Sequence, residues 1–179
     1  MMDDKEILDL CSKDRTKGFK QLMDLYQEPL YNHIRRLLVS HEDTQDALQE
    51  TFVRVFRSLK TFRGDSSLST WLYRIATNES LRILDNKKRE ADLSSEDMQL
   101  ELIDKLKTTE YIDYEDAMAV KFQEAILNLP EKQRLVFNFR YYDELGYDEI
   151  AKILDTKADT LKVNYHYAKD KIKDYILNH

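Results

Sequence analysis

The sequence predicts an all-α protein of two small helical domains joined by an acidic linker. Three observations carry this. The 179 residues include only 3 Gly and 2 Pro, too few turn formers for many short strands. Apolar residues recur three and four apart over long stretches, the period of a helix with one buried face. Charge is also unevenly spread. Residues 1–90 hold 16 Lys/Arg against 15 Asp/Glu, a net of +1; residues 91–127 hold 3 against 10, a net of −7; residues 128–179 hold 9 against 9. A composition shift of this kind marks a linker between folded parts. It assigns residues 1–92 to a first domain, 93–113 to the linker and 114–179 to a second domain.

The elements follow in order. Phe19, Leu22, Met23, Tyr26, Leu30, Ile34, Leu37 and Leu38 form a helical apolar stripe. Pro29 falls inside it and predicts a kink or a break. Ser40, with Asp43 three residues on, has the form of a capping box. Behind it Ala47, Leu48, Phe52, Val55, Phe56 and Leu59 make a second stripe, with Asp46, Gln49, Glu50, Arg54 and Arg57 on the other face. Residues 62–70, "FRGDSSLST", read as a loop in which Asp65, Ser66 or Ser67 caps the next helix. That helix turns Leu68, Trp71, Leu72, Ile75 and Leu84 inward and ends in the basic run Lys87, Lys88, Arg89, which suits a helix C-terminus. In the second domain, Asn128 or Leu129 lies near a cap and Pro130 in the first turn of a helix. Leu135, Val136, Phe139 and Tyr142 give it an apolar face, and Gly146 is expected to end it. Ile150, Ala151, Ile153 and Leu154 supply the core side of a third helix. Asp155 follows, a residue type that tolerates the left-handed turn of a helix-turn-helix. At 100° per residue, Leu161, Tyr165, Ala168 and Ile172 form the buried stripe of the last helix. Val163, His166, Tyr167, Asp170 and Asp159 then point away, with Lys162 at the edge. This is either a recognition helix for a DNA major groove or the second arm of an ordinary helical hairpin.

Composition excludes several classes. No apolar run reaches the roughly 20 residues of a membrane span. The acidic start "MMDDKEILDL" is unlike a secretion signal. The single Cys11 forms no internal disulfide, which fits a reducing cytoplasm. His33, His41, His166 and His179 are scattered, so no metal site is expected. No Gly-rich phosphate loop occurs, and neither a cofactor nor an enzymatic reaction is expected.

Three motifs in order resemble the extracytoplasmic-function (ECF) group of bacterial sigma factors over nearly the whole chain. "DTQDALQETFVRVFRSL" is similar to region 2.2, "FRGDSSLSTWLYRIATNESLRIL" to regions 2.3 and 2.4, and "LPEKQRLVFNFRYYDELGYDEIAKIL" with the helix after it to region 4. The short middle segment leaves no room for the extra domain of larger sigma factors.

The resemblance implies a non-catalytic protein that docks on core RNA polymerase, reads the promoter −10 and −35 elements and promotes DNA opening. Asp46, Gln49, Glu50 and Arg54 then fall at polymerase-docking positions, where carboxylates and an amide suit a basic and polar partner. Phe62, Arg63, Gly64, Asp65 and Ser66 match the loop that captures a flipped −10 base. Asn78, both donor and acceptor, matches a base-contacting position. Tyr73, Arg74 and Arg82 are read as lying on the polar side of the same helix, facing the single-stranded backbone. Trp71, by its spacing, belongs to the core. Lys87, Lys88 and Arg89 are either a solvated helix end or a phosphate anchor. For the −35 duplex the residues are Thr160, Lys162, Val163, His166 and Tyr167. Val163 stands where a small polar residue is common, and Asn164 and Tyr167 where Arg is frequent, which weakens phosphate contacts. Arg134, Arg140 and Lys157 are candidate substitutes for that charge.

With near-neutral flanks, DNA binding by the free chain is expected to be weak, since phosphate neutralisation supplies much of nonspecific affinity. Polymerase would supply the missing positive surface. The acidic linker is either a nucleic-acid mimic against basic polymerase channels or a plain soluble tether. The resemblance further implies an anti-sigma factor, often membrane-bound, and no small-molecule substrate. A compact free form, its domains covering each other, is one arrangement open to the chain. The rival functional reading is a polymerase-independent helix-turn-helix regulator binding operators alone. A second rival is a helical adaptor or sigma-like decoy, which binds polymerase without starting transcripts. The −10 loop motif argues against both.

Overall fold

The computed structural model describes residues 2–108 and 115–179; the predicted boundary at residues 113 and 114 lies outside them. Among the described residues the fold is all-α. The first unit comprises α1 (Asp4–Lys13), α2 (Arg15–Leu38), α3 (His41–Ser58), a 3-10 turn (Leu59–Thr61) and α4 (Leu68–Ala91). Its core is the predicted one: Leu22, Leu30, Ile34, Leu37 and Leu38 of α2 meet Ala47, Phe52 and Val55 of α3 and Leu68, Leu72 and Leu84 of α4. Pro29 makes no break, because α2 runs through it. Ser40 accepts from the Asp43 N–H at the start of α3, and of the three candidate caps of α4 it is Ser67 that accepts, from Thr70 N–H at 3.1 Å.

α1 lies close along α2. A Cβ placed on Gly18 would sit 2.5 Å from the Cys11 backbone and sulfur, so only glycine permits this approach.

The acidic segment is more ordered than a tether. α5 (Ser95–Thr108) buries Met98, Leu102, Ile103 and Leu106 while Glu96, Asp97, Glu101 and Asp104 face water. Gln99 donates to the Leu129 carbonyl at 2.7 Å, tying α5 to the second unit.

The second unit holds α6 (Ala117–Leu127), α7 (Glu131–Tyr141), α8 (Tyr147–Leu154) and α9 (Ala158–Asn178). Gly146 does not end α7, as its residue type suggested. α7 stops at Tyr141, Glu144 takes the left-handed backbone (φ 53°), and Gly146 is the N-cap of α8, its N–H donating to Glu149 at 3.0 Å. Asp155 is left-handed, at φ 50° and ψ 55°. It leads into α9, whose inner stripe buries Leu161, Ala168 and Ile172 with Tyr165 half-buried.

The two units close on each other. Leu135, Val136 and Phe139 of α7 and Ile150 and Ile153 of α8 belong to the same apolar core as α2 and α4. Burying apolar surface at roughly 25 cal/mol per Å² makes such a shared core strongly cohesive.

Candidate nucleic-acid interface

Asp46, Gln49 and Arg54 are exposed on the outer face of α3, with Glu50 half-buried. Beside them runs an apolar groove of about 840 Å³ between α2 and α3, floored by Phe19, Met23, Leu48, Phe52, Val53 and Phe56, with Gln45, Gln49 and Arg57 on its rim. Phe56 is assigned to the core stripe by its spacing, yet it is 38% exposed and edge-on to Phe19 at 5.0 Å. An apolar trough with a polar rim is the anatomy of a protein-binding surface.

Glu79 has no place in the sequence reading. It is buried on α4 and pairs with Arg54 of α3 and, at 2.5 Å, with Arg82 of α4. Two arginines that the sequence assigns to different partners thus converge on one buried carboxylate. The position follows Asn78 on an apolar helix, where an acid is a cue for a buried ion pair.

In the loop before α4, Arg63, Gly64 and Asp65 are exposed and Ser66 is half-buried. Gly64 has φ 76°, a conformation side chains disfavour. Phe62 leans on Trp71 with ring centroids 4.9 Å apart, and Trp71 is half-buried rather than fully core. Asn78, Arg74 and Arg82 are exposed on α4.

Tyr73 departs from the reading. It lies on the inner side of α4, 6% exposed, because the second unit covers it. Its hydroxyl donates to Asp143 of the α7–α8 connection at 3.4 Å, and its ring packs edge-on to Phe139 at 6.0 Å. Burial first, then the Asp143 charge, pushes the phenol well above its ordinary range. Next to it, Arg74 donates to the Lys152 carbonyl of α8. Asp143 also takes Arg36 of α2 at 2.7 Å and faces His33 Nδ1 at 3.5 Å. That spacing is beyond a good hydrogen bond. His33 is fully buried, stacked on Phe139 at 4.7 Å, with Nε2 on Thr77 Oγ1 at 2.8 Å. Burial pulls its pKa down, against the opposing pull of Asp143. Nothing in the sequence pairs a connection residue with α2 across 107 positions and with α4 across 70, so this cluster was not readable there.

Thr160, Lys162, Val163, His166 and Tyr167 are all exposed along one side of α9. Their partners are weak surface ones: Lys162 with Asp159 at 3.9 Å and His166 with Asp170 at 3.3 Å. Of the cations offered as substitutes, Lys157 is exposed. Arg134 is buried, and Arg140 is spent on the Leu145 carbonyl at 3.0 Å and the Tyr147 ring at 4.4 Å. Arg134 is withdrawn from solvent, and half-buried Arg140 is held by these partners. Lys87 pairs with Asp43 at 2.5 Å and Lys88 with Asp85 at 3.4 Å, leaving Arg89 at the exposed end of α4.

Comparison with known proteins places this geometry. Residues 22–90 match the family model described as Sigma-70 region 2, and residues 119–172 match Sigma-70, region 4. The chain is 30% identical to the ECF RNA polymerase sigma factor SigW of Bacillus subtilis, over 97% of this chain and 96% of that one. It is 29% identical to the ECF RNA polymerase sigma-E factor of Escherichia coli, over 98% and 95%. It is 27% identical to the RNA polymerase sigma-H factor of Pseudomonas aeruginosa, over 94% and 91%. Its fold resembles CnrH, solved in complex with the cytosolic domain of CnrY (TM-score 0.68, 18% identity, 96% and 95% covered). It also resembles the sigma factor RpoE of Bartonella quintana, solved with the anti-sigma factor NepR (TM-score 0.69, 20% identity, 90% and 98% covered). With both regions present in order and a relative aligned end to end, the chain belongs to the ECF sigma factors of the sigma-70 family.

Proposed function

We propose that this sigma factor engages core RNA polymerase through the outer face of α3 and the groove beside it, and promoter DNA through the loop before α4, the face of α4 and α9. As a sigma factor it is a transcription initiation factor, whose work is binding. The observation that carries the assignment is the end-to-end similarity to SigW, with regions 2 and 4 both matched. Asp46, Gln49 and Glu50 would fix the register of the docked partner while Phe19, Met23 and Phe56 are buried by it. Phe62, Arg63, Gly64, Asp65 and Ser66 would hold an extruded −10 base read with Asn78, and Arg82 the adjacent backbone. Lys162, Val163, His166 and Tyr167 with Thr160 would enter the −35 major groove. Residues 1–92 then act as the polymerase and −10 domain and 114–179 as the −35 domain. The exposed acids of α5 would face basic polymerase channels as a nucleic-acid mimic; replacing them with Asn and Gln should alter abortive and full-length transcript yields, and unchanged yields would reject the mimic.

The closed arrangement bears on this. Tyr73 and Arg74 cannot meet single-stranded DNA while they hold Asp143 and the Lys152 carbonyl. The −10 face gains these two residues only once the second unit moves off α4, whereas the α9 face is open throughout. Polymerase, by seating the two units apart, supplies that separation as well as positive surface. An anti-sigma factor, of the kind seen with RpoE of B. quintana, would act by holding the closed form or covering both faces. The site of action is cytoplasmic; among the described residues no helix is long and apolar enough to cross a membrane.

The test is transcription by core polymerase on fragmented genomic DNA with and without the protein, sequencing transcript 5′ ends. New starts preceded by two spaced motifs are expected. A complex with core but no new starts would instead indicate a decoy, and no complex an operator-binding regulator.

A further inference from the structure

A second cavity, of about 760 Å³, opens between α1, the 3-10 turn and the loop at residues 62–64. Among the described residues, four cations line it, Lys13, Arg15, Lys60 and Arg63, and no carboxylate does. In a chain of net charge −6 that is a local concentration of positive potential, which attracts a polyanion. The cavity is also firmly built. The Gly18 contact holds Cys11 at its floor with Leu8 and Leu59. Arg15 is fixed by donation to the Phe56 carbonyl and lies 4.0 Å over the Phe56 ring. Lys13 pairs with the exposed Asp9 at 2.9 Å. Beyond Gly64 and its two chain neighbours, no heavy atom of the described residues lies within 4 Å of where a Gly64 side chain would start, so the loop edge is open. α1 and Arg15 precede the span of residues 22–90 matched to region 2.

We propose that this cavity receives one nucleotide of the melted promoter strand, with α1 forming a second wall opposite the −10 loop. The base lies against Leu8, Cys11 and Leu59, and its phosphates meet Lys60, Arg63 and Lys13. The proposal rests on the reading of residues 62–66 as the −10 loop and extends it to residues outside the family's matched region.

Cys11 is the chain's single cysteine and half-buried, so it reports occupancy directly. Holoenzyme is treated with N-ethylmaleimide, free or on a promoter premelted over the −10 element, and the Cys11 peptide is quantified by mass spectrometry. Premelted DNA is expected to protect Cys11. Lys60→Glu and Lys13→Glu, both at exposed positions, are expected to abolish protection and to lower the log–log salt slope of open-complex binding by about 1 per phosphate lost. Asn78→Ala is expected to relax base preference. If Cys11 labels equally with and without DNA, and the lysine variants behave as wild type while Asn78→Ala impairs reading, the cavity proposal is overturned and the −10 assignment stands. If Asn78→Ala is also silent, both fall.

Discussion

Asp143 is the residue on which most of the closed form depends. It joins α2, through Arg36 and His33, to α4, through Tyr73, from a connection in the other unit. Breaking a buried ion pair by removing one partner costs about 3 kcal/mol. Asp143→Ala should therefore loosen the closed form and raise single-stranded −10 DNA binding by the free protein, checked by fluorescence anisotropy. His33 adds a pH dependence. Its pKa is lowered in the closed fold, so closed and open forms bind protons differently. The contribution of neutral His33 to the closed form is fully present above the ordinary value of about 6.5 and is lost as pH falls below it. Arg36 opposes that protonation and Asp143 favours it; Tyr73 and Thr77 face the same ring. Scattering measured from pH 7.5 to 5.5 should show expansion, and His33→Phe should flatten the curve. Of the predicted site residues, those on exposed faces of α3, α4 and α9 could be read from helical angle alone. Tyr73 could not, because what buries it comes from a separate unit.

At the scale of elements, helix period served well where one stripe met one core, as in α2, α3 and α9. Phe56 of α3 is an exception, 38% exposed on a core spacing, and two elements depart for other reasons. The Gly146 reading used residue type, but the left-handed position fell at Glu144 and glycine opened α8 instead. In α5 the spacing of Met98, Leu102 and Leu106 was present, and the surrounding acids obscured it. Leu106 is fully buried. Leu106→Ala should cost about 2–5 kcal/mol, read as a lower melting temperature, and hydrogen exchange should find α5 protected. A soluble tether would show neither. On α9, Lys162→Ala should weaken holoenzyme binding to all −35 sequences alike and reduce the salt slope by about 1, measured by filter binding. Tyr167→Ala should instead change preference between sequences.

At the scale of the whole molecule, a chain of net charge −6 serves as the promoter-binding subunit. Its net negative charge lies in residues 91–127, while cations gather at local sites such as the α1 cavity and the end of α4. Its apolar core is shared between the units, so the free protein rests closed with Tyr73 of α4 covered. The family and the division into two helical parts were visible in sequence, since they depend on contiguous motifs. Packing between the parts depends on pairs far apart in the chain and was not.

The most direct measurement is the distance between α4 and α8, by electron–electron double resonance. Spin labels go at Asp85→Cys and Asp148→Cys in a Cys11→Ser background, free and bound to core polymerase. A single short distance in the free protein that lengthens on polymerase is predicted. An unchanged short distance on polymerase, or a long and broad one already in the free protein, would contradict a closed form opened by its partner.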